Sequence, residues 1–223
     1  TILVSWLVAL TGCPDPGTGG TGGGSGQGGG TGGSGGAGGS GGGADTFAQS
    51  AKANVRFKRN VRLTNDFAAA LGLPADQLCR ELGQYQCTTF VHSIALGGVE
   101  PYGAGLYEPL PFTGLASPIV ADRVALSGCL ARTDADLAAG AGAVIWKGVA
   151  PDGAGKLAID SAEVGAALDL LYKRALLRPP TSAELDHLKQ LYRDIDATGK
   201  PEPGRSWMTL SCFAVLTTVE ALF

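Results

Sequence analysis

The sequence lacks the side chains from which metal and haem sites are usually built. Its 223 residues include two histidines, and its five cysteines form neither a CxxC pair nor a CxxCH motif. Structural zinc sites and covalently attached haem commonly depend on such motifs. The sequence therefore predicts a chain without a metal ion or another cofactor.

Motifs of the common catalytic sites are also missing. The glycines of residues 97–105 are not followed by the GK[ST] sequence of a phosphate-binding loop. Outside the glycine-rich segment described below, no serine lies in a GxSxG sequence. The acidic pairs Asp134/Asp136 and Asp194/Asp196 are too sparse for a calcium loop of the EF-hand type. These absences favour a protein that is not an enzyme, although they do not decide the question.

An excess of positive charge is missing as well. The net charge of -3 and the isoelectric point near 5.4 provide no argument for a nucleic-acid partner. One local basic run is better interpreted as a solvated face than as a polyanion site. It comprises Lys52, Arg56, Lys58, Arg59 and Arg62.

Glycine is the residue that the sequence has in excess. Between residues 17 and 44, 19 of the 28 residues are glycine, and none is charged or both large and apolar. Such a segment cannot bury enough apolar surface to offset the entropy lost on ordering. We therefore expect a flexible tether with an r.m.s. span of roughly 30 Å, followed by a folded domain over residues 45–223.

An apolar run that ends at a cysteine precedes the tether. Residues 2–12 are too few to cross a bilayer, which takes about 20 apolar residues, but they fit the end of a secretory signal. The sequence Leu10-Thr11-Gly12-Cys13 resembles the lipobox of bacterial lipoproteins. The resemblance implies that residues 1–12 are a signal-peptide remnant and that Cys13 carries the lipid. Several acyl chains anchor a protein firmly where one is marginal.

The implied organisation is that of an envelope lipoprotein. Residues 13–44 comprise the lipidated cysteine and the linker, and residues 45–223 a mainly helical domain that could be subdivided near residues 140–158. An aspartate directly after the lipidated cysteine favours retention of a lipoprotein in the inner membrane, but this sequence has Pro14 there. We therefore expect the protein in the outer membrane, on either its periplasmic or its surface face. Because the sequence starts without methionine and stops inside an apolar helical pattern, we expect a fragment of a longer chain.

Four cysteines remain once Cys13 is assigned to the lipid. In an oxidising compartment we expect them to form disulfides, and four cysteines allow three pairings. We favour Cys79 with Cys87, which closes a short loop, and Cys129 with Cys212, which joins two helices distant in sequence. The alternative is a zinc site, which the missing CxxC pair disfavours.

The hydrophobic periodicity predicts a mainly α, bundle-like domain. Thr64 is a predicted N-cap, Thr181 and Glu184 form a predicted capping box, and the last helix is expected to be the buried central one. Helices are predicted at residues 46–62, 64–71, 75–82, 117–132, 133–139, 160–176, 181–195 and 206–223. The helix at residues 117–132 is expected to place Ile119, Val120, Val124, Leu126 and Leu130 on its apolar positions.

Two regions of the domain do not follow a helical pattern. Residues 85–115, rich in glycine, proline and tyrosine, are predicted to form a long irregular loop. Residues 143–146 form a strand-like run beside the turn sequence Pro151-Asp152-Gly153, which favours one small β-hairpin there.

The long loop supplies the candidate binding residues. His92, Glu100, Tyr102, Tyr107 and Glu108 could line a groove for a carbohydrate or a peptide. In one interpretation His92 acts as a general base with either glutamate. In the other, His92 makes a buried hydrogen bond, the loop packs on the helices and both acids face water.

The last third of the sequence carries a second resemblance. Residues 171–185, Trp207 and residues 215–223 resemble a helical module of unknown function in exported proteins of Planctomycete and myxobacterial type. That module is often fused to cytochrome c-like domains, and its pattern is roughly RxLxRPPTxxE followed by a helix ending SxEFLF. The similar region covers about a quarter of the chain. Its motif positions are capping and packing residues, so it implies a fold and no reaction.

Together these features lead to an expected function. We expect a non-catalytic, surface-tethered interaction or structural module of the cell envelope. The alternative is an accessory subunit of an envelope redox or polysaccharide-degrading system, as the neighbours of the helical module imply. The expected partners are the membrane, through the lipid anchor, and an envelope protein or polysaccharide.

Overall fold

The computed structural model of the chain describes residues 56–109 and 114–223. The predicted signal remnant, Cys13 and the glycine tether lie outside the described residues. Within them, no helix is both long and apolar enough to cross a membrane. The α-helices are α1 (Asn60–Leu71), α2 (Ala116–Ala139), α3 (Ala162–Leu176), α4 (Ser182–Ala197), α5 (Pro203–Leu216) and α6 (Val219–Leu222).

Short elements connect α1 to α2. They are a 3-10 turn at Ala75–Gln77, two antiparallel strands, β1 (Arg80–Glu81) and β2 (Tyr85–Gln86), and a π-helical turn at Cys87–Val91. A second 3-10 turn, Gly140–Gly142, follows α2. The prediction of a mainly α fold is thus confirmed.

Helix α5 is the centre of the domain and packs against α2, α3 and α4. Its Trp207 is fully buried, donates its indole N–H to the carbonyl of Leu188 at 2.7 Å, and contacts the ring of Trp146 at a centroid distance of 5.6 Å. A disulfide joins Cys212 of α5 to Cys129 of α2, in the pairing that the sequence analysis favours. The predicted buried central helix is therefore present.

Several helix ends follow the expected capping chemistry. The Thr181 hydroxyl oxygen accepts the backbone N–H of Glu184, and the Glu184 carboxylate accepts the backbone N–H of Thr181, which completes the predicted capping box. Gly72 ends α1 in the left-handed conformation that glycine adopts easily. Arg174 of α3 donates to carbonyls in the last turn of α1, at Ala69 and Ala70.

The hairpin prediction is wrong about its position. The described hairpin is β1–β2, whose turn has left-handed backbone at Leu82 (φ 51°) and Gly83 (φ 71°). The expected strand at residues 143–146 cannot pair with another strand, because the carboxylate of Asp136 takes its backbone N–H groups instead. It accepts from Val144 at 2.6 Å and from Ile145 and Trp146 at 2.9 Å.

Three helix predictions need correction. Helix α1 starts at Asn60, because the Asn60 N–H is bound by the carbonyl of Leu96, so Thr64 lies inside the helix rather than capping it. Residues 75–82 form only a 3-10 turn before β1, and residues 116–139 form one helix rather than two.

The predicted last helix is interrupted after α5. The hydroxyl of Thr217 bonds back to the carbonyl of Phe213 at 2.9 Å, and that of Thr218 accepts the N–H of Ala221 at 3.2 Å. Such side-chain bonds compete with the helical ladder. Thr218 therefore becomes the N-cap of the separate helix α6.

Candidate functional site

A group of polar and apolar side chains, including His92, lies where the hairpin meets α2. We call residues Cys79–His92 the disulfide corner. A disulfide joins Cys79 to Cys87, with 5.4 Å between their Cα atoms, again in the favoured pairing. The π-helical turn then brings the backbone N–H of His92 to the carbonyl of Cys87 at 2.7 Å. The chain thereby returns His92 to the hairpin.

Glu81 is the centre of an ion-pair cluster in this corner. Its Oε1 lies 3.0 Å from Nε2 of His92, and its Oε2 pairs with the guanidinium of Arg123 on α2. The hydrogen bond from His92 and the charge of Arg123 hold the pKa of the Glu81 carboxyl below its ordinary value. The cluster ties the hairpin, the π-helical turn and α2 together.

The acid that contacts His92 is therefore Glu81, and not Glu100 or Glu108, which the sequence analysis considered. Sequence reasoning missed Glu81 because only the turn at Leu82 and Gly83 folds β1 back towards the π-helical turn. Among the described residues, the recorded hydrogen bond of the His92 ring goes to Glu81. A nucleophilic site needs its base beside a serine, cysteine or threonine, and the contacts of His92 provide no such pair.

Glu100 organises its own loop. Its Oε2 accepts the backbone N–H groups of Gly103 and Ala104, at 2.5 and 2.9 Å. These bonds, that from Ala104 first, lower the pKa of the Glu100 carboxyl. The backbone of Glu100 also pairs with that of Leu106. The carboxylate therefore closes a turn and is not aimed at His92.

The other three loop residues of the proposed groove are exposed. Tyr102 is 97% and Tyr107 77% exposed, and Glu108 also faces solvent. No recorded hydrogen bond of the described residues joins any of them to His92. The structure thus brings His92 to Glu81 and leaves both tyrosine rings free on the surface.

Exposed apolar side chains concentrate in the same part of the chain. Of the 17 large apolar residues that are exposed among the described residues, 12 lie between residues 82 and 130. Single exposed apolar residues are ordinary, whereas a concentration marks an interaction site. The 12 are Leu82, Tyr85, Phe90, Val91, Ile94, Val99, Tyr102, Tyr107, Leu115, Ile119, Leu126 and Leu130.

Contacts between elements place the start of α2 beside the hairpin and the segment after the π-helical turn. The Ser117 hydroxyl at the start of α2 donates to the carbonyl of Ala95, and Arg123 of α2 reaches Glu81 of the hairpin. The rings of Tyr85 and Phe90 are stacked, with centroids 5.8 Å apart. We call the surface formed by these elements the apolar face. It comprises Leu82, Tyr85, Phe90, Val91, Ile94, Leu115 and Ile119.

The orientation of α2 corrects part of the sequence analysis. Val120 and Val124 are buried as expected, but Ile119 is 71% exposed and Leu126 and Leu130 are also exposed. The buried stripe of α2 consists largely of small residues, among them Ala121, Ala125 and Gly128. A Cβ on Gly128 would lie 2.8 Å from a methyl carbon of Leu71, so the close approach of α1 excludes larger side chains.

A second region with polar groups lies beside Asp136. A cleft of about 320 Å³ is lined by Leu137, Trp146, Val149 and Pro151, with Asp136 at its edge. The Asp136 carboxylate already accepts three backbone N–H groups and pairs with Arg132 at 2.7 Å. This carboxylate therefore holds the fold together and has little capacity for a ligand.

A third polar cluster explains the conspicuous RPPT sequence. Arg178 pairs with Glu184 at 2.7 Å and with Glu220 at 2.9 Å, and its guanidinium lies 5.5 Å from the centroid of the Tyr172 ring. The hydrogen bonds from Arg178 and from the Thr181 backbone lower the pKa of Glu184 to about 2. The cluster fastens the α3–α4 turn to α6 and has a structural role.

Comparisons with family models, with curated proteins and with solved structures find no match to this chain.

Proposed function

We propose that the chain is an envelope lipoprotein whose helical domain is a non-catalytic interaction module, and that the apolar face binds a protein partner in the envelope. The concentration of exposed apolar side chains between residues 82 and 130 is the observation that carries this proposal. Lipidation at Cys13 and the glycine tether hold the module at the membrane while allowing it to reach partners some distance away.

The composition of the face supports a protein partner. Aromatic residues and arginine contribute most of the energy at protein interfaces. Here the stacked rings of Tyr85 and Phe90 lie in the disulfide corner. Arg123 of α2 pairs with Glu81 of the same corner, and its side chain is 61% exposed. The hairpin and the π-helical turn that present these rings are closed by the disulfide. The side chains are therefore presented on a pre-organised surface, which lowers the entropy lost on binding.

Site-specific photo-crosslinking in intact envelopes tests the proposal. A photoreactive amino acid replaces Phe90 or Ile119, and in the control chain it replaces Leu177, which is 90% exposed between α3 and α4. We expect a discrete adduct of the same mass from positions 90 and 119 and none from 177. The same adducts from all three positions, or no adduct from positions 90 and 119, contradict the proposal.

The exposed tyrosines support a second candidate, an accessory subunit of a polysaccharide-degrading system. Aromatic rings that are open to solvent can stack on sugar rings, and Tyr102 and Tyr107 are the most exposed aromatic residues described. The double variant Tyr102→Ala/Tyr107→Ala should lose binding to envelope polysaccharide in an affinity electrophoresis gel. Equal retardation of the variant and the wild type removes this candidate.

The lipid anchor has its own test. We expect the Cys13→Ser variant to lack acyl chains and to move into the soluble fraction, because the anchor otherwise depends on the lipid. The measurement is fractionation of cells together with the mass of the mature protein. A variant that stays on the membrane with lipid attached contradicts the assignment of Cys13.

A further inference from the structure

Three atoms of the kinds that bind zinc converge in the disulfide corner, and a fourth lies beside one of them. The sulfurs of Cys79 and Cys87 and a carboxylate oxygen of Glu81 all lie within 4.8 Å of one another. Oε1 of Glu81 is 3.8 Å from Sγ of Cys87 and 3.0 Å from Nε2 of His92. The ring of His92 is outside the group that lies within 4.8 Å, so it must move towards the sulfurs to become a fourth ligand.

The two separations measured from Glu81 are close to the edges of a tetrahedral zinc site. Zinc binds sulfur at about 2.3 Å and nitrogen or oxygen at about 2.0–2.1 Å, so tetrahedral angles place sulfur and oxygen about 3.5 Å apart, and nitrogen and oxygen about 3.3 Å apart. The observed values for Glu81 are 3.8 and 3.0 Å. Two thiolates on one zinc would lie about 3.8 Å apart, a separation that cysteines with Cα atoms 5.4 Å apart can reach after reduction.

We propose that reduction of the Cys79–Cys87 disulfide converts the corner into a Zn²⁺ site with Cys79, Cys87, His92 and Glu81 as ligands. In the oxidised chain the two sulfurs are bonded to each other, so the site does not exist. The function proposed above neither requires this site nor predicts it.

A dithiol can act as the reductant that opens the disulfide. The dithiol gives two electrons and two protons to the Cys79–Cys87 bond, which breaks into two thiols, and the dithiol itself becomes a disulfide. Zn²⁺ then forms two bonds to sulfur, and both thiol protons pass to solvent. Because thiolates are the true ligands, zinc affinity should rise with pH.

The surroundings of the four ligands are organised to support a metal. The second carboxylate oxygen of Glu81 pairs with Arg123, and such outer contacts fix the orientation of a metal ligand. Two of the four ligand side chains reach the surface, since Glu81 is 17% and His92 24% exposed. Zinc therefore has a path into the site, whereas the sulfurs are covered by protein.

The spacing of the ligands explains why the sequence did not indicate this site. Seven residues separate the two cysteines, and four residues separate Cys87 from His92, so no CxxC pair is present. The hairpin shortens the first interval by returning β2 alongside β1, and the π-helical turn shortens the second. The fold thus assembles a set that sequence motifs do not reveal.

A zinc titration of the full chain tests the proposal, with His187 as a matched control. All chains carry Cys13→Ser, so that this thiol supplies no ligand. Each is reduced with a phosphine, which adds no competing thiol, and is titrated with Zn²⁺ and with Co²⁺ as an optical probe of thiolate ligation. The variants are His92→Ala, His187→Ala, Glu81→Gln and Cys79→Ser/Cys87→Ser. His187 is the other histidine of the chain and is exposed on α4.

We expect one Zn²⁺ per reduced wild-type chain, a thiolate–cobalt absorption band, and no binding by the oxidised chain. His92→Ala should weaken zinc binding at least about tenfold, since even outer-shell changes cost 10–100-fold. His187→Ala should bind like the wild type, and the cysteine double variant should not bind. Equal binding by the His92 and His187 variants overturns the proposal, as does a reduced wild type that retains its helices and binds no zinc.

Circular dichroism of the same samples keeps the test decisive if reduction weakens the fold. A reduced chain that loses its helices without zinc and regains them with one equivalent supports the proposal. A reduced chain that stays unfolded with zinc overturns it. Zinc binding that survives in Cys79→Ser/Cys87→Ser also overturns it, because the metal would then lie elsewhere.

Discussion

Replacing Asp136 by alanine should destabilise the domain far more than replacing Asp134, although both lie on α2 and both pair with an arginine. Asp136 is 2% exposed, and its partner Arg132 is 5% exposed. Asp134 and its partner Arg205 are each more than a third exposed. The two variants remove the same atoms from neighbouring positions of one helix, so burial and bonding are the main differences.

The expected magnitude follows from what each substitution leaves behind. Asp136→Ala leaves a buried guanidinium without its counter-charge, and removing one partner of a buried pair costs about 3–5 kcal/mol. It also leaves the three backbone N–H groups of residues 144–146 without their acceptor, at about 1–3 kcal/mol for each group that water does not reach. We expect a loss of at least about 4 kcal/mol. Asp134→Ala removes an exposed pair, which is worth about 1 kcal/mol at most.

Urea unfolding followed by circular dichroism measures both values. For a domain of this size, a loss of about 4 kcal/mol lowers the melting temperature by roughly 8–16 °C, and a loss of 1 kcal/mol by roughly 2–4 °C. Asp136→Asn should fall between the two, because it keeps an acceptor oxygen and loses the charge. A free energy of unfolding for Asp136→Ala within about 1 kcal/mol of that for Asp134→Ala refutes this account of the segment after α2.

Three further predictions concern stability. Removing the Cys129–Cys212 disulfide by a double alanine substitution should cost about 4.6 kcal/mol and removing Cys79–Cys87 about 2.5 kcal/mol, because the sequence separations are 83 and 8 residues. Denaturant midpoints in the reverse order contradict the loop-entropy argument. Gly128→Ala should destabilise the domain by about 1–3 kcal/mol, since its methyl group would meet a leucine of α1 at 2.8 Å. By contrast, Gly165→Ala, at an open position near the start of α3, should stabilise the domain by about 0.5–1 kcal/mol. Melting temperatures that shift equally and in the same direction contradict this prediction. Because the pKa of Glu184 is lowered from 4.5 to about 2, its contribution is complete above pH 4.5 and is lost as the pH falls towards 2. The stability advantage of the wild type over Glu184→Gln should therefore shrink across that range, and an advantage that is constant from pH 5 to pH 2 contradicts the assignment.

The parts of the fold that sequence reasoning predicted correctly depend on local chemistry. The capping box of Thr181 and Glu184 depends only on two residues that lie three positions apart in the sequence. The spacing of the four cysteines other than Cys13 favoured one of three possible pairings, and that pairing is the one present. None of these inferences needs information about the tertiary structure.

The errors arise where tertiary contacts override a local pattern. The strand-like run at residues 143–146 has β-forming side chains, but the buried carboxylate of Asp136 binds its N–H groups. In α2 the pattern favoured the large residues Ile119 and Leu130 as core, whereas the close approach of α1 at Gly128 selects small ones. The sequence alone does not reveal how closely two helices approach each other.

The candidate site was only partly predictable for the same reason. His92 was singled out, but its partner Glu81 depends on a hairpin whose turn places Leu82 in a left-handed conformation, which is uncommon for a residue other than glycine. The apolar face was missed because its members on α2 were assigned to the core. Phe90 and Tyr85 could have been noticed as aromatic residues in a cysteine-bounded segment, although that signal by itself does not distinguish packing from exposure.

The polar cluster around Arg178 links two segments that are distant in the sequence and lies apart from the candidate binding surface. Arg178 and Glu184 lie in the RPPT segment, and Glu220 lies in the final TVEALF sequence, 42 residues from Arg178. One arginine thus joins the two halves of the sequence pattern that resembles the helical module, so a constraint on packing is enough to explain their co-occurrence. The resemblance itself stays a prediction. No residue of this cluster belongs to the apolar face or the disulfide corner, which come from residues 79–123. Substitutions at Phe90 or Ile119 are therefore expected to leave the contacts of Arg178 and Asp136 intact. If a photoreactive amino acid at either position gave no adduct, that result would report on binding rather than on unfolding.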